Sequence, residues 1–179
     1  MRKSIVVADE FLEDPIGVRQ WALGLDYKRN PDFYKGMRAD FTPSGQTRAD
    51  VCSLLGIPKM QDLYACCQLT TAEDPIVYHS DHQKYAGAIY LDPQRTDAGT
   101  SFWKNRKFGH RRPSGNPFID NFMYSPPHLV SPDSWELVDR IGSVFNRILL
   151  WEGQLVHSAT TYEGFTDDHP RLAMLFFFN

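Results

Sequence analysis

Cysteine is scarce in this chain, and what there is cannot pair completely. Among 179 residues the only cysteines are Cys52, Cys66 and Cys67. Adjacent Cys66 and Cys67 point to opposite faces of any strand they occupy, which puts a bond between them out of geometry. A disulfide framework is not expected, and reduced thiols in a cytoplasmic compartment are. Long apolar runs are also missing. No stretch approaches the roughly 18 apolar residues of a membrane-spanning helix, so no membrane association is expected. Near the N-terminus, Ser4-Ile5-Val6-Val7 is soon interrupted by Asp9 and Glu10 and is too short for a signal peptide. Positive charge is not in excess. A net charge of −3 and a pI near 6.0 give no general case for nucleic-acid binding. The chain holds no internal repeat and no low-complexity tract.

Aromatic residues are plentiful: twelve Phe, eight Tyr and four Trp, within 42% hydrophobic residues, supply a sizeable core. The length fits one domain over residues 1–179. Residues 4–8 have the pattern of a short strand. Asp14 then caps a helix with Pro15 in its first position, where the missing N–H is not needed. Ile16, Val18, Trp21, Ala22 and Leu25 recur at helical spacing and predict its buried stripe. Residues 28–45 carry Pro31, Gly36, Pro43 and Gly45 and predict a long loop, followed by a helix over 46–55 that stops at Gly56. From there the pattern is of short strands, at 63–71, 76–80, 85–91, 99–103, 146–151, 154–159 and 171–178. Between them, 104–133 holds Pro113, Pro117, Pro126, Pro127 and Pro132 and predicts irregular structure, with a helix expected over 133–142 behind Ser131 or Asp133. Two helices followed by this many strands predict an α+β domain, a double-sheet jelly roll with N-terminal helices packed on the sheet.

The chemistry-bearing residues are His79, Asp81, His157 and Arg171. In an extended segment His79 and Asp81 point the same way, about 6.6–6.8 Å apart along the chain, and at a strand end both can turn to one metal. His157 lies in Leu155-Val156-His157-Ser158-Ala159, an apolar strand in which an unpartnered imidazole is unfavourable. A metal shared with His79 and Asp81 is one solution, and a core histidine satisfied by hydrogen bonds is the other. Two imidazoles and a carboxylate on one face of a metal make the set that suits iron(II) and leaves the opposite face open. Arg171 opens the last strand, on the face it shares with Ala173, Leu175 and Phe177. There it needs either a carboxylate partner or a route to solvent, and its planar fork suits a carboxylate.

Tyr78-His79-Ser80-Asp81, then Tyr85-Ala86-Gly87-Ala88-Ile89-Tyr90-Leu91, then Gly99-Thr100-Ser101-Phe102, with His157 and Arg171 downstream, resembles the prolyl-4-hydroxylase-like branch of the Fe(II)/2-oxoglutarate-dependent dioxygenases. The start, Asp9-Glu10-Phe11-Leu12-Glu13-Asp14-Pro15, is similar to how many such domains begin, and small bacterial and phage members are the nearer likeness. Only Gly99 stands where a Gly-Gly pair is common, and the basic residue is Arg where many prolyl hydroxylases have Lys. The resemblance implies iron(II) on His79, Asp81 and His157, and 2-oxoglutarate chelating that iron with its distal carboxylate on Arg171. It further implies O2 as cosubstrate, and succinate and CO2 as products. Asp81 fills the place that halogenases of this superfamily leave open, so hydroxylation is the implied outcome. Tyr85 and Thr100 are candidate 2-oxoglutarate contacts, or else strand-packing residues.

The substrate is not implied: an amino acid, another small metabolite, a peptide side chain and a nucleobase all remain open. Lys104, Arg106, Lys107, His110, Arg111 and Arg112 form a basic run that is either a site for an anionic substrate or a solvated loop. Phe118, Phe122, Met123 and Tyr124 offer apolar material for a lid. Two other functions compete. One is a non-catalytic, cupin-like metal-binding jelly roll, which has no need of Arg171; the other is a zinc hydrolase, for which Glu152 is the one nearby candidate base. Oligomeric state leaves no trace in the sequence.

Overall fold

The computed structural model describes residues 3–29 and 36–179. Ten strands and four helices alternate along it: β1 (Ile5–Ala8), α1 (Pro15–Leu23), β2 (Lys28–Arg29), β3 (Met37–Asp40), α2 (Gly45–Leu55), β4 (Tyr64–Thr70), β5 (Tyr85–Tyr90), β6 (Thr100–Asn105), α3 (Pro117–Met123), α4 (Pro126–Leu129), β7 (Trp135–Ile141), β8 (Ile148–Glu152), β9 (His157–Ala159) and β10 (Arg171–Phe178). They form a seven-stranded sheet, ordered β1-β8-β5-β10-β4-β3-β2, and a three-stranded sheet, ordered β7-β6-β9. The strand pairs are antiparallel, as the jelly roll expected from the sequence requires.

Period-2 alternation gives the larger sheet two dry faces. Ile89, Ile148, Leu150, Leu172, Met174, Phe176 and Phe178 pack on the side of α1 and α2, together with Ala22 and Val51. Ala86, Ala88, Tyr90, Leu149 and Trp151 face the other way, toward Phe102 and Leu155, with Leu175 and Phe177 alongside. Phe176, Phe177 and Phe178 therefore divide between two cores. Asp14 caps α1 by accepting from the Gly17 amide at 2.9 Å, and α2 ends on Gly56 in the left-handed region, φ 71°. No helix among the described residues is long and apolar enough to cross a membrane. All three cysteines are free thiols.

Several expectations need correction. The stripe on α1 is narrower than its spacing suggests: Val18, Ala22 and Leu25 face the core, but Ile16 is 55% and Trp21 46% exposed. Trp21 touches the layer below through one ring edge on Phe41. The loop expected over 28–45 contains β2 and β3, because β3 finds a ladder along β4; residues 30–35 lie outside the described residues. Residues 76–80 form no strand but a single bridge at His79. The proline-rich segment 104–133 is irregular only over 106–116. Pro117, Pro126 and Pro132 each begin a helical turn, following Asn116, Ser125 and Ser131. Proline is well suited to the first position of a helix, and here it starts helices rather than breaking them.

The helix expected over 133–142 is strand β7. Its ladder to β6, with a register shift at Phe102/Trp103, outweighs the local pattern, and Trp135 is buried at its start, stacked on Tyr78 with ring centroids 5.8 Å apart. Segment 108–135 packs on Tyr78, Trp103 and Val156, with Met123 wholly buried, as a buttress on the smaller sheet rather than the expected lid.

Gly99 precedes β6, where the main chains of 99 and 141 nearly touch: a Cβ would lie 1.8 Å from the Ile141 carbonyl oxygen. A rigid backbone oxygen cannot yield as a side chain can. Gly99→Ala is expected to cost about 2–3 kcal/mol, lowering the thermal midpoint by roughly 4–12 °C in a chain of this size. Thermal unfolding followed by circular dichroism measures this, and an unchanged midpoint would contradict the contact.

Candidate active site

One main-chain bridge assembles the His/Asp/His cluster. The His79 amide donates to the His157 carbonyl at 3.0 Å, and the His157 amide returns the bond to the His79 carbonyl at 2.8 Å. This reciprocal pair brings the segment before β5 against β9 and sets the two rings 4.4 Å apart. The Asp81 amide donates to the Gly153 carbonyl at 2.8 Å. Only glycine fits at 153, since a Cβ there would lie 2.3 Å from the Gln83 carbonyl oxygen.

Both imidazoles are oriented in the same way. His79 Nδ1 lies 3.0 Å from the Val77 carbonyl oxygen and His157 Nδ1 2.8 Å from that of Leu155, in each case two residues back. A carbonyl accepts only, so each Nδ1 carries the proton and each Nε2 presents its lone pair. The Nε2 atoms lie 3.8 Å and 3.5 Å from the two oxygens of Asp81. One ligand atom from each of the three residues falls within 4.8 Å of the others. Among the described residues Asp81 Oδ2 is buried with no hydrogen-bond partner, which is costly for a carboxylate oxygen unless a cation meets it. The donor set and this orphaned oxygen fit an iron(II) ion. Trp151, whose ring lies 4.9 Å from that of His157, walls the site; its indole N–H is buried and likewise unpartnered. Ser80, between the two N-terminal donors, gives its hydroxyl hydrogen bond to Tyr124 at 3.2 Å.

Arg171 enters the space between the sheets. It is buried, donates from Nε to the Ala98 carbonyl at 2.7 Å, and holds its guanidinium 5.6 Å from the Tyr90 ring centre and 5.8 Å from that of Tyr162. Among the described residues, neither of its terminal nitrogens has a hydrogen-bond or ion-pair partner. Thr100 lies on the same inner space, bonded at 2.8 Å to the Tyr90 hydroxyl. Tyr85 does not. It stands on the helix-facing side of β5, 5.5 Å from the Phe178 ring, because an odd number of steps separates it from Tyr90. Tyr90 is the phenol beside Arg171; sequence reasoning missed it, and the alternation Ala86, Ala88, Tyr90 only shows that Tyr85 and Tyr90 take opposite faces.

Half of the basic run is committed to the fold. Lys104 pairs with Glu136 at 3.0 Å, Lys107 sits over the Phe122 ring at 4.2 Å, and Arg112 pairs with Glu152. Glu152 is thus engaged by a cation, which removes the candidate base of a zinc hydrolase. His82 is exposed.

Solved structures share this architecture. The chain is similar to a Pseudomonas putida prolyl-4-hydroxylase at 12% identity and TM-score 0.55, covering 98% of this chain and 92% of that one. It is similar to AviO1 from Streptomyces viridochromogenes at 12% identity and TM-score 0.62, covering 99% and 90%. A third likeness is to iron-bound HygX from Streptomyces hygroscopicus, at 13% identity and TM-score 0.61, covering 98% and 82%; HygX has also been solved with nickel, 2-oxoglutarate and hygromycin B. No protein-family model and no curated protein matches the chain. At these identities the likeness establishes the fold, the jelly roll of the iron and 2-oxoglutarate oxygenases.

Burial, and then the neighbouring His79, push the His157 imidazole down to about 4 from an ordinary 6.5. Folding therefore holds His157 neutral while the unfolded chain takes up a proton. Stability from this group is complete above pH 6.5 and is lost as pH falls toward about 4. The thermal midpoint of metal-free protein is expected to drop across that window, and His157→Gln to flatten the drop; parallel curves for the two proteins would refute the assignment.

Proposed function

We propose that this protein is an iron(II)- and 2-oxoglutarate-dependent dioxygenase that hydroxylates a C–H bond of a small organic substrate. One domain over residues 1–179 and a cytoplasmic setting for its free thiols belong to the same reading. The observation that carries it is a pair: the orphaned Asp81 oxygen between two oriented imidazoles, and a buried arginine fork with no carboxylate of its own.

His79, Asp81 and His157 hold the metal from one side and leave the opposite side open. Arg171 takes the distal carboxylate of 2-oxoglutarate, and Thr100 and Tyr90 shape the wall beside it. With iron bound, 2-oxoglutarate and O2 yield succinate and CO2, and that oxidation drives hydroxylation of the substrate. The chain contributes position and dryness: Trp151, Phe102 and Leu155 exclude water from one side of the cluster, and the main-chain bridge at 79 and 157 fixes the ligands before metal arrives. A cupin-like binding module gives no account of Arg171, whose burial without a carboxylate is costly unless an anion joins it. A small molecule as substrate accords with the hygromycin B held by HygX.

Anaerobic loading with iron(II) and 2-oxoglutarate, then admission of O2, is expected to release succinate from the native protein. His79→Ala abolishes metal binding and succinate together. Arg171→Ala keeps the metal and weakens 2-oxoglutarate by roughly 30- to 1,000-fold, about 2–4 kcal/mol. Native protein that binds neither iron(II) nor 2-oxoglutarate would overturn the reading.

A further inference from the structure

The chain has four tryptophans, and their indole N–H groups are satisfied to different degrees. Trp103 donates to the Ser158 hydroxyl at 3.0 Å, and Trp135 to the His128 carbonyl at 2.8 Å. Trp21, on α1, is half exposed and can reach water. Trp151 is 4% exposed, and its Nε1 is buried with no hydrogen-bond partner among the described residues. An indole nitrogen only donates, and when buried it usually finds an acceptor. Leaving it unpaired is costly.

Its surroundings narrow the choice of acceptor. Trp151 lies opposite Ala86 of β5 and Ile5 of β1, on the face of the larger sheet that looks toward the smaller one. Its ring stands steeply against those of His157, at 4.9 Å, and Phe102, at 6.0 Å, with Leu155 and Ala86 in the same apolar cluster. The polar group nearest this wall is the His/Asp/His cluster. There Asp81 Oδ2, 3.5 Å from His157 Nε2, is itself without a hydrogen bond, so the indole does not donate to it. A buried donor and a buried acceptor thus flank His157 without meeting, and the acceptor for Trp151 has to arrive with a ligand on the open side of the metal.

We propose that Trp151 is a cosubstrate-binding residue, its indole N–H donating to the 1-carboxylate of 2-oxoglutarate; the assignment rests on the oxygenase reading. A 2-oxo acid that chelates a metal does so through its keto oxygen and one carboxylate oxygen. The second carboxylate oxygen then remains an acceptor in a dry space and needs a donor. Trp151 and Arg171 serve opposite ends of one face: Trp151 lies opposite Ala86, and the Arg171 guanidinium lies beside Tyr90, farther along the same strand. The two ends of the cosubstrate thereby meet different donors. A charged fork takes the distal carboxylate, and a neutral N–H takes the carboxylate whose charge the metal already offsets. The neutral donor fixes direction without placing a second cation against the iron.

The test is nuclear magnetic resonance of protein with isotope-labelled indole nitrogens, loaded with zinc, a diamagnetic ion that imidazole and carboxylate donors also accept. Trp151→Phe identifies the Trp151 signal by its loss; should that variant not fold, contacts to the His157 and Phe102 ring protons identify it instead. Zinc alone is expected to leave the signal in place. Adding 2-oxoglutarate is expected to move it downfield and slow its hydrogen exchange, while the Trp103 and Trp135 signals stay where they are. In anaerobic calorimetry Trp151→Phe is expected to bind iron(II) within about threefold of the native protein. Its affinity for 2-oxoglutarate is expected to fall roughly 10- to 100-fold, the loss of one charge-assisted hydrogen bond. An indole signal unmoved by bound 2-oxoglutarate, or an unchanged affinity in Trp151→Phe, overturns the inference and leaves the oxygenase standing. A signal that moves with zinc alone also overturns it, by making Asp81 the acceptor. Native protein that takes up no 2-oxoglutarate overturns both.

Discussion

Strand β10 is hydrogen-bonded on both sides, to β4 and β5, and packed on both faces, so each of its side chains is committed to one of two interiors. Leu172, Met174, Phe176 and Phe178 support the helices; Arg171, Ala173, Leu175 and Phe177 face the space between the sheets. A slip of one residue would exchange the two sets. Placing a guanidinium in that inner set is locally unfavourable. The cost is offset only in part by the Ala98 carbonyl and the flanking tyrosine rings, and it leaves a pocket that favours a bound anion. The small residue at 173, beside Arg171, keeps the space open.

At the other end of the space, the reciprocal main-chain pair between His79 and His157 plays the corresponding part for the metal cluster. Side-chain direction there follows from backbone bonding. Each ring is turned by a carbonyl two residues upstream, and Gly153 lets the Asp81 segment come close enough to complete the set. Cluster and arginine thus border one space between the two sheets, with Trp151 of the larger sheet beside His157 of the smaller. Segment 108–135, which adds Tyr124 behind Ser80, acts as a brace for these residues.

That architecture is shared with solved structures of 12–13% identity. The physical demands on it are few: alternation along the strands, close main-chain approaches at glycines, and a closed pair of sheets. Very different side chains can meet them.

The sequence by itself determined the parts governed by local pattern. Alternation specified the strands and the face of Arg171, and the i, i+2 spacing put His79 and Asp81 on one side. Asp14-Pro15 and Gly56 marked helix ends through backbone chemistry that acts within a few residues. Only the tertiary structure decided which of Tyr85 and Tyr90 joins the site, since both are tyrosines on one strand and the register with β10 chooses between them. It also turned 133–142 from an expected helix into β7, because its ladder partner β6 is too distant in sequence for local periodicity to register. The same holds for β3: residues 37–40 lie in a stretch with the composition of a loop, and only pairing with β4 and β2 makes them a strand.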